Sequence, residues 1–156
     1  MDEIRFFNAC EPYGCLSNYA PAGFELDGVW WPSSEHYYHV QKFVHASQSN
    51  EHSDDLYKKR KEVYQAVTPS NARTIAHDSK LLVRADWEQV KDDIMRKAVL
   101  RKFESNPALL SVLLATGDAE LFEASMSDSH FGTGADGKGM NMLGKILMEV
   151  RTALRP

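Results

Sequence analysis

Apolar positions recur with helical spacing along most of the chain and with strand spacing in only a few places. Leu143, Ile146, Leu147, Val150 and Leu154 fall on one face at a period of 3.6, which predicts a C-terminal helix. Trp87, Val90, Ile94 and Ala98, flanked by Met95 and Val99, predict a long helix from an Asp86 cap to about Glu104. Ser33 or Ser34 can cap a helix running to about Ala46, because a hydroxyl oxygen accepts from the unpaired amides of a first turn. A further helix is expected from about Asp54 to Ala66. Thr68-Pro69 opens a short one to His77, with proline at the first position, where its missing N–H is harmless. Asn106-Pro107 opens another through Leu114, closed by Thr116-Gly117-Asp118.

Strand signals are sparser. Phe24-Glu25-Leu26 and Val29-Trp30-Trp31 flank Asp27-Gly28, a favoured two-residue hairpin turn, and Pro32 ends the second strand. Glu120 to Ala124 reads as another short strand. The expected fold class is α+β, mainly helical, with a small sheet formed near the N-terminus. No repeat, low-complexity tract or linker divides the chain, so a single domain over residues 1–156 is expected, a length that supports a core of its own.

Composition narrows the function classes. Apolar residues make up 43% and charged residues 26%, a soluble globular balance. A net charge of -4 argues against attachment to nucleic acid by bulk charge alone, yet allows an enzyme that visits one modified nucleotide. Cys10 and Cys15 are too few for a disulfide framework and lack partners for a zinc site; free thiols fit an intracellular, cytoplasmic protein, with the nucleus also compatible. Met1-Asp2-Glu3 is acidic and no apolar stretch follows, so no signal peptide is expected, and no run approaches membrane-spanning length. Oligomeric state is not readable.

The densest chemical signal is the stretch Gly132 to Asn141, with glycines at 132, 134, 137 and 139 and the polar residues Asp136, Lys138 and Asn141, directly before the last helix. A glycine-rich loop feeding a helix N-terminus lets amides approach an anion or a phosphorylated sugar. Asn141 can instead cap that helix. Upstream, Glu35 follows two tryptophans and precedes two tyrosines; an aromatic surround desolvates a carboxyl group and suits it to acid duty, whereas the plain alternative is a solvated first-turn charge. Lys42 lies two helical turns on, on the same face, as a nucleophile toward an aldehyde-like carbon or as an ordinary surface lysine. His36 and His39 lack a third ligand at a recognisable spacing, which favours packing or hydrogen bonding, and no metal is expected. Trp87 is either core or a stacking platform. Glu123 at a strand end, Asp128 before the aromatic Phe131, and the glycine loop are expected to converge on one cleft, although Asp128 also suits a turn. Lys58, Lys59, Arg60 and Lys61 form either a local basic patch or a solvated helix face.

Taken in order, these segments resemble the NADAR superfamily, also called YbiA-like proteins. The resemblance begins at Phe6-Phe7 and Gly14-Cys15-Leu16-Ser17-Asn18-Tyr19 and continues through Trp31-Pro32-Ser33-Ser34-Glu35-His36-Tyr37-Tyr38 and Gln41-Lys42-Phe43. It extends through Asp86-Trp87, Met95-Arg96-Lys97-Ala98 and Lys102-Phe103, then Thr116-Gly117-Asp118, Glu123, Asp128, the glycine loop and Leu143-Gly144. Any one motif is weak; the ordered set is specific and covers nearly the whole chain.

Family members are N-glycosidases. Some cleave ribosyl phosphate from a pyrimidine amine in early riboflavin-pathway intermediates; others remove ADP-ribose from guanine in DNA. The resemblance therefore implies hydrolysis of a C1'–N bond without a cofactor, on a ribosyl phosphate or on ADP-ribosylated guanine, with DNA as a possible substrate and no membrane partner. It implies catalytic roles for Glu35, Lys42 and Asp128. Substrate binding falls to Asn18, Trp87, Glu123, Phe131, Gly132, Gly134 and Asn141. Where the family usually has tryptophan before Gly-x-Gly, this chain has Phe131, which keeps an aromatic face and loses an N–H donor. Ala46 to Tyr64 matches no family motif. Two rival readings are a non-catalytic module for ADP-ribose or a nucleotide, which binds without releasing product, and an adaptor domain.

Overall fold

The computed structural model describes residues 2–45 and 53–156. Strand β1 (Glu3–Phe6) is followed by the hairpin β2 (Phe24–Leu26) and β3 (Val29–Trp31), then helices α1 (Ser34–Gln41), α2 (Ser53–Tyr64), α3 (Pro69–His77), α4 (Trp87–Ser105) and α5 (Pro107–Ala115). Strand β4 (Glu120–Glu123) and helix α6 (Met142–Leu154) complete the chain. The mainly helical α+β class expected from the sequence is what the chain adopts. The small sheet becomes two pairs: β2 and β3 run antiparallel, and β1 runs parallel to β4, with Phe6 opposite Glu123. In the hairpin turn both Asp27 (φ 54°) and Gly28 (φ 77°) are left-handed, the backbone that matches the twist of the flanking strands.

Local chemistry sets most boundaries. The Ser33 hydroxyl accepts from His36 N at the start of α1, and the Thr68 hydroxyl accepts from Asn71 N at the start of α3. Asp86 caps nothing: its carboxylate is held bidentately by Arg84 at 2.6 and 2.9 Å. Helix α1 stops short of the expected end, because the carbonyls that would extend it are taken elsewhere. Lys42 O accepts from Arg84 N and Phe43 O from the Arg60 guanidinium. The expected terminus at Ala46 lies outside the described residues, as does the first part of the Ala46 to Tyr64 stretch.

Two apolar clusters make the core. One gathers Leu121, Leu143, Ile146, Leu147 and Val150 against Met95, Val99 and Phe103 of α4. The other packs the hairpin against α1, α2 and α3 through Phe24, Trp31, Tyr37, Val40, Phe43 and Val63. Helix α1 lies between them, sending Tyr37 and Val40 into one and Tyr38 into the other. It is polar in sequence, yet Ser34 through Val40 are all buried. Among the described residues no helix is long and apolar enough to cross a membrane.

Candidate active site

A cleft of about 300 Å³ opens where the two halves of the core meet. Helix α1 supplies Glu35, Tyr38 and His39, and Lys42 follows at its end; α3 supplies Arg73 and His77. The opposite wall carries Glu123 at the end of β4 and the loop with Asp128, His130 and Phe131. Asn18, Tyr19 and Lys91 complete the outline.

Each polar group is held by identifiable partners. His39 Nε2 and Glu35 Oε2 are 2.7 Å apart, one helical turn from each other. Burial is the largest influence on His39 and lowers its basicity against the pull of Glu35, so its neutral form donates Nε2–H to that carboxylate. Its Nδ1 is then a buried acceptor with no donor. His36 bridges the Ser33 hydroxyl at 2.7 Å and Ala66 O at 2.9 Å, the hydrogen-bonding role expected for it. Asn18 accepts from the Ser34 hydroxyl at 2.8 Å, which ties the loop after Gly14 to the start of α1. Among the described residues no cluster of His, Cys, Asp and Glu is arranged to hold a metal.

Lys42 and Glu123 are the perturbed pair. Burial pulls the Lys42 ammonium down to about 8, reinforced by Arg73 and Lys91 and opposed by Glu35. Lys42 Nζ lies 5.6 Å from the Tyr38 ring centroid and 5.7 Å from that of Trp87, and no hydrogen bond or ion pair engages it among the described residues. Burial, together with the carboxylates of Asp128 and Glu35, pushes Glu123 up to about 8. Glu123 Oε2 is buried without a partner. A carboxyl group that keeps its proton at neutral pH can donate it, and an amine that loses its proton near pH 8 can attack carbon. Lys102 shows that lowered basicity alone does not make a site. Burial brings it to about 8 as well, but its Nζ is committed to Ser17 O at 2.9 Å inside the core.

Of the residues expected at the site, Glu35, Lys42, Asp128, Asn18, Glu123 and Phe131 share the cleft. Trp87 does not line it; its ring packs 4.9 Å from Tyr38, which stands between Trp87 and Phe131. Gly132, Gly134 and Asn141 also lie outside the lining. Asn141 caps nothing with its side chain; it accepts from Glu123 N at 3.0 Å and donates to Leu121 O at 2.8 Å, so it fixes the strand that presents Glu123. The glycine loop is no open anion cradle. Gly134 N donates to Ser125 O, Gly139 N to Thr133 O, and Met140, Asn141, Met142 and Leu143 N to the carbonyls of Ser129, Gly132, His130 and Phe131. At Gly132 a Cβ would come within 2.8 Å of Asp128 O and 3.1 Å of Glu123 O, so glycine is needed for the loop to fold onto β4. Asp128 takes the turn geometry expected for it, accepting from His130 N at 2.9 Å and Phe131 N at 2.8 Å, and still faces the cleft.

Sequence reasoning did not single out Arg73, His77, Lys91 or His130. Arg73 and His77 are one helical turn apart on α3, on the face beside the buried Ala72 and Ala76, and that spacing was the available signal. Tyr19, quoted only as part of a motif, accepts from Arg73 Nη1 at 2.8 Å. His130 meets Asp92 at 2.7 Å.

Comparison with known proteins adds an independent line. The NADAR domain model matches residues 5–155. The chain is 41% identical over 152 residues to an N-glycosidase of Nostoc punctiforme, covering 97% of this chain and 92% of that protein. It is 39% identical over 151 residues to N-glycosidase YbiA of Escherichia coli, covering 97% and 88%. A riboflavin biosynthesis protein of Vibrio vulnificus is 39% identical over 97% of this chain, which corresponds to 38% of that longer protein. The NMR structure of Escherichia coli YbiA matches with a TM-score of 0.83 at 38% identity, over 98% of this chain and 84% of that one.

Proposed function

We propose, from the premise that the chain belongs to the NADAR family and is an N-glycosyl hydrolase, that it cleaves the C1'–N bond of a ribosylated base amine. The candidate substrates are a ribosylaminopyrimidine phosphate, suggested by the riboflavin relative, and ADP-ribosyl-guanine. The observation that carries this reading is Lys42: an unpaired, desolvated amine on the same cleft as three carboxyl groups.

In the favoured route the ribose opens first. The glycosidic nitrogen pushes its electron pair toward C1', the C1'–O4' bond breaks, and O4' takes a proton. Neutral Lys42 Nζ adds to C1'; a proton passes to the departing nitrogen, which leaves with the electron pair of the C1'–N bond. Water then adds to the lysine imine, releases Lys42, and lets the sugar re-close. Protonated Glu123 is placed to donate to the leaving amine or to O4'. Glu35, oriented by His39, stabilises charge at C1' and accepts the proton of the attacking water. Asp128 holds the ribose hydroxyls, and Phe131 and Tyr38 pack on the base. Direct attack by a water activated by Glu35 is the second reading, favoured by the fixed Glu35–His39 pair.

Incubation with guanine-ADP-ribosylated DNA and, separately, with ribosylaminopyrimidine phosphates tests the assignment. Release of free base and sugar from one of them, read by mass spectrometry, is expected. Tight binding of both with no release would return the chain to the non-catalytic reading.

A further inference from the structure

Beyond Arg73 the cleft continues into a second cavity, also about 300 Å³. The two share Tyr19, Arg73, Ser125 and Ser127, and the second adds Asn8 and Ser70. The carboxyl groups divide sharply between them. Glu35, Glu123 and Asp128 all line the first cavity, beside Lys42 and Lys91, whereas among the described residues no carboxylate lines the second, where Arg73 is the one charged group.

We propose that this second cavity holds the 5'-phosphoryl group of the ribosyl substrate, with Arg73 as its clamp. The inference deepens the N-glycosidase reading and rests on it for the sugar's place in the first cavity. A phosphate dianion is repelled by the carboxylates of Glu35 and Asp128 beside Lys42 and attracted to the adjoining space that has a guanidinium and no acid among its described lining residues. Arg73 spends one N–H on Tyr19 and makes no other hydrogen bond or ion pair with a described residue, so the rest of its fork is open to phosphate oxygens. The hydroxyls of Ser125 and Ser127 stand 3.5 Å apart on the shared wall, and Ser70 lies in the first turn of α3. A ribose with C1' toward Lys42 and C5' toward Arg73 spans that wall. The glycine loop, the expected cradle, has most of its amides occupied.

The phosphoryl group can be a monoester or the proximal phosphate of a diphosphate. Phe7, an exposed ring on the same cavity, offers a stacking face to adenine in the second case.

Ser70→Asp is the cleanest variant. Ser70 is exposed, and an acid in the first turn of α3 suits the helix, so the fold is retained. NMR titration of the full chain with ribose 5-phosphate is expected to shift the amides of residues 70, 73, 125 and 127. Ser70→Asp weakens that binding at least tenfold and leaves unphosphorylated ribose unaffected; Lys138→Ala behaves as wild type. Wild-type affinity in Ser70→Asp, or shifts confined to residues 134–139 or to Lys91, overturns the subsite. The glycosidase reading fails separately. Ribose 5-phosphate bound here by a protein that hydrolyses neither substrate keeps the subsite and removes the activity, whereas equal turnover of phosphorylated and dephosphorylated substrates does the reverse. Loss of ADP-ribose binding alone in Phe7→Ala assigns the diphosphate as the source; no change in that variant assigns the monoester.

Discussion

Helix α1 lines the cleft and the loop from Gly132 to Asn141 stands behind its opposite wall, and the two use their polar groups in opposite ways. In α1, buried polar side chains are aimed at the cavity, and two of the atoms around it, His39 Nδ1 and Glu123 Oε2, are left without partners. In the loop most amides are spent on neighbouring carbonyls, and its glycines allow close backbone contact. A buried acceptor without a donor costs about 1–3 kcal/mol, a penalty with a purpose where a ligand will supply the donor. In the proposed mechanism the unsatisfied region is the reacting one, and the satisfied region is its buttress.

The largest effects should fall on α1 and the lysine just after it. Lys42→Ala and Glu35→Gln are each expected to lower turnover roughly a hundred- to ten-thousand-fold with the melting temperature almost unchanged, measured by product release and calorimetry. Near-normal turnover in Glu35→Gln removes it from the mechanism. The loop should respond the other way. Gly132→Ala places a methyl against Asp128 O and Ser125 Cβ, and Gly139→Ala against the backbone of Gly132 and Thr133, so each should cost about 1–3 kcal/mol of stability. Activity lost in Gly132→Ala without a fall in melting temperature would make the loop a direct participant and blur the contrast.

The pH dependence sharpens it next. Lys42 becomes nucleophilic as pH rises through about 8, and Glu123 stops donating as pH rises through about 8. The profile of kcat/KM should therefore be a narrow bell centred there, and Glu123→Gln, whose amide can hydrogen-bond but cannot give up a proton, should lower the maximum and lose the alkaline limb. The same group acts on stability. Its folded pKa is raised above the unfolded value of 4.5, so the native state binds more protons between 4.5 and about 8, and wild type loses stability as pH rises through that window. Glu123→Gln should gain melting temperature relative to wild type at pH 8 and not at pH 4. The smallest effect is Phe131→Trp: it restores the N–H donor usual in the family and should alter the preference between substrates more than kcat.

Much of this was legible in the chain. The bounds of α3 follow from Thr68-Pro69, the hairpin from Asp27-Gly28, and α6 from its apolar face. What escaped depends on contacts distant in sequence. The early end of α1 is set by Arg84 and Arg60, and the parallel pairing of β1 with β4 has no local signature. At the site, Glu35 was visible through its aromatic neighbours and Lys42 through its spacing from Glu35, whereas Arg73 enters only because α3 packs on α1. The glycine loop misleads for a physical reason: close backbone approach is needed equally for binding a phosphate and for packing one strand of the protein on another.

The most direct test is borohydride reduction during turnover, followed by peptide mapping. The Lys42 imine route predicts a ribosyl adduct on Lys42 in wild type, absent in Lys42→Ala. An active wild type that yields no adduct, or one that carries it on another residue, would contradict it.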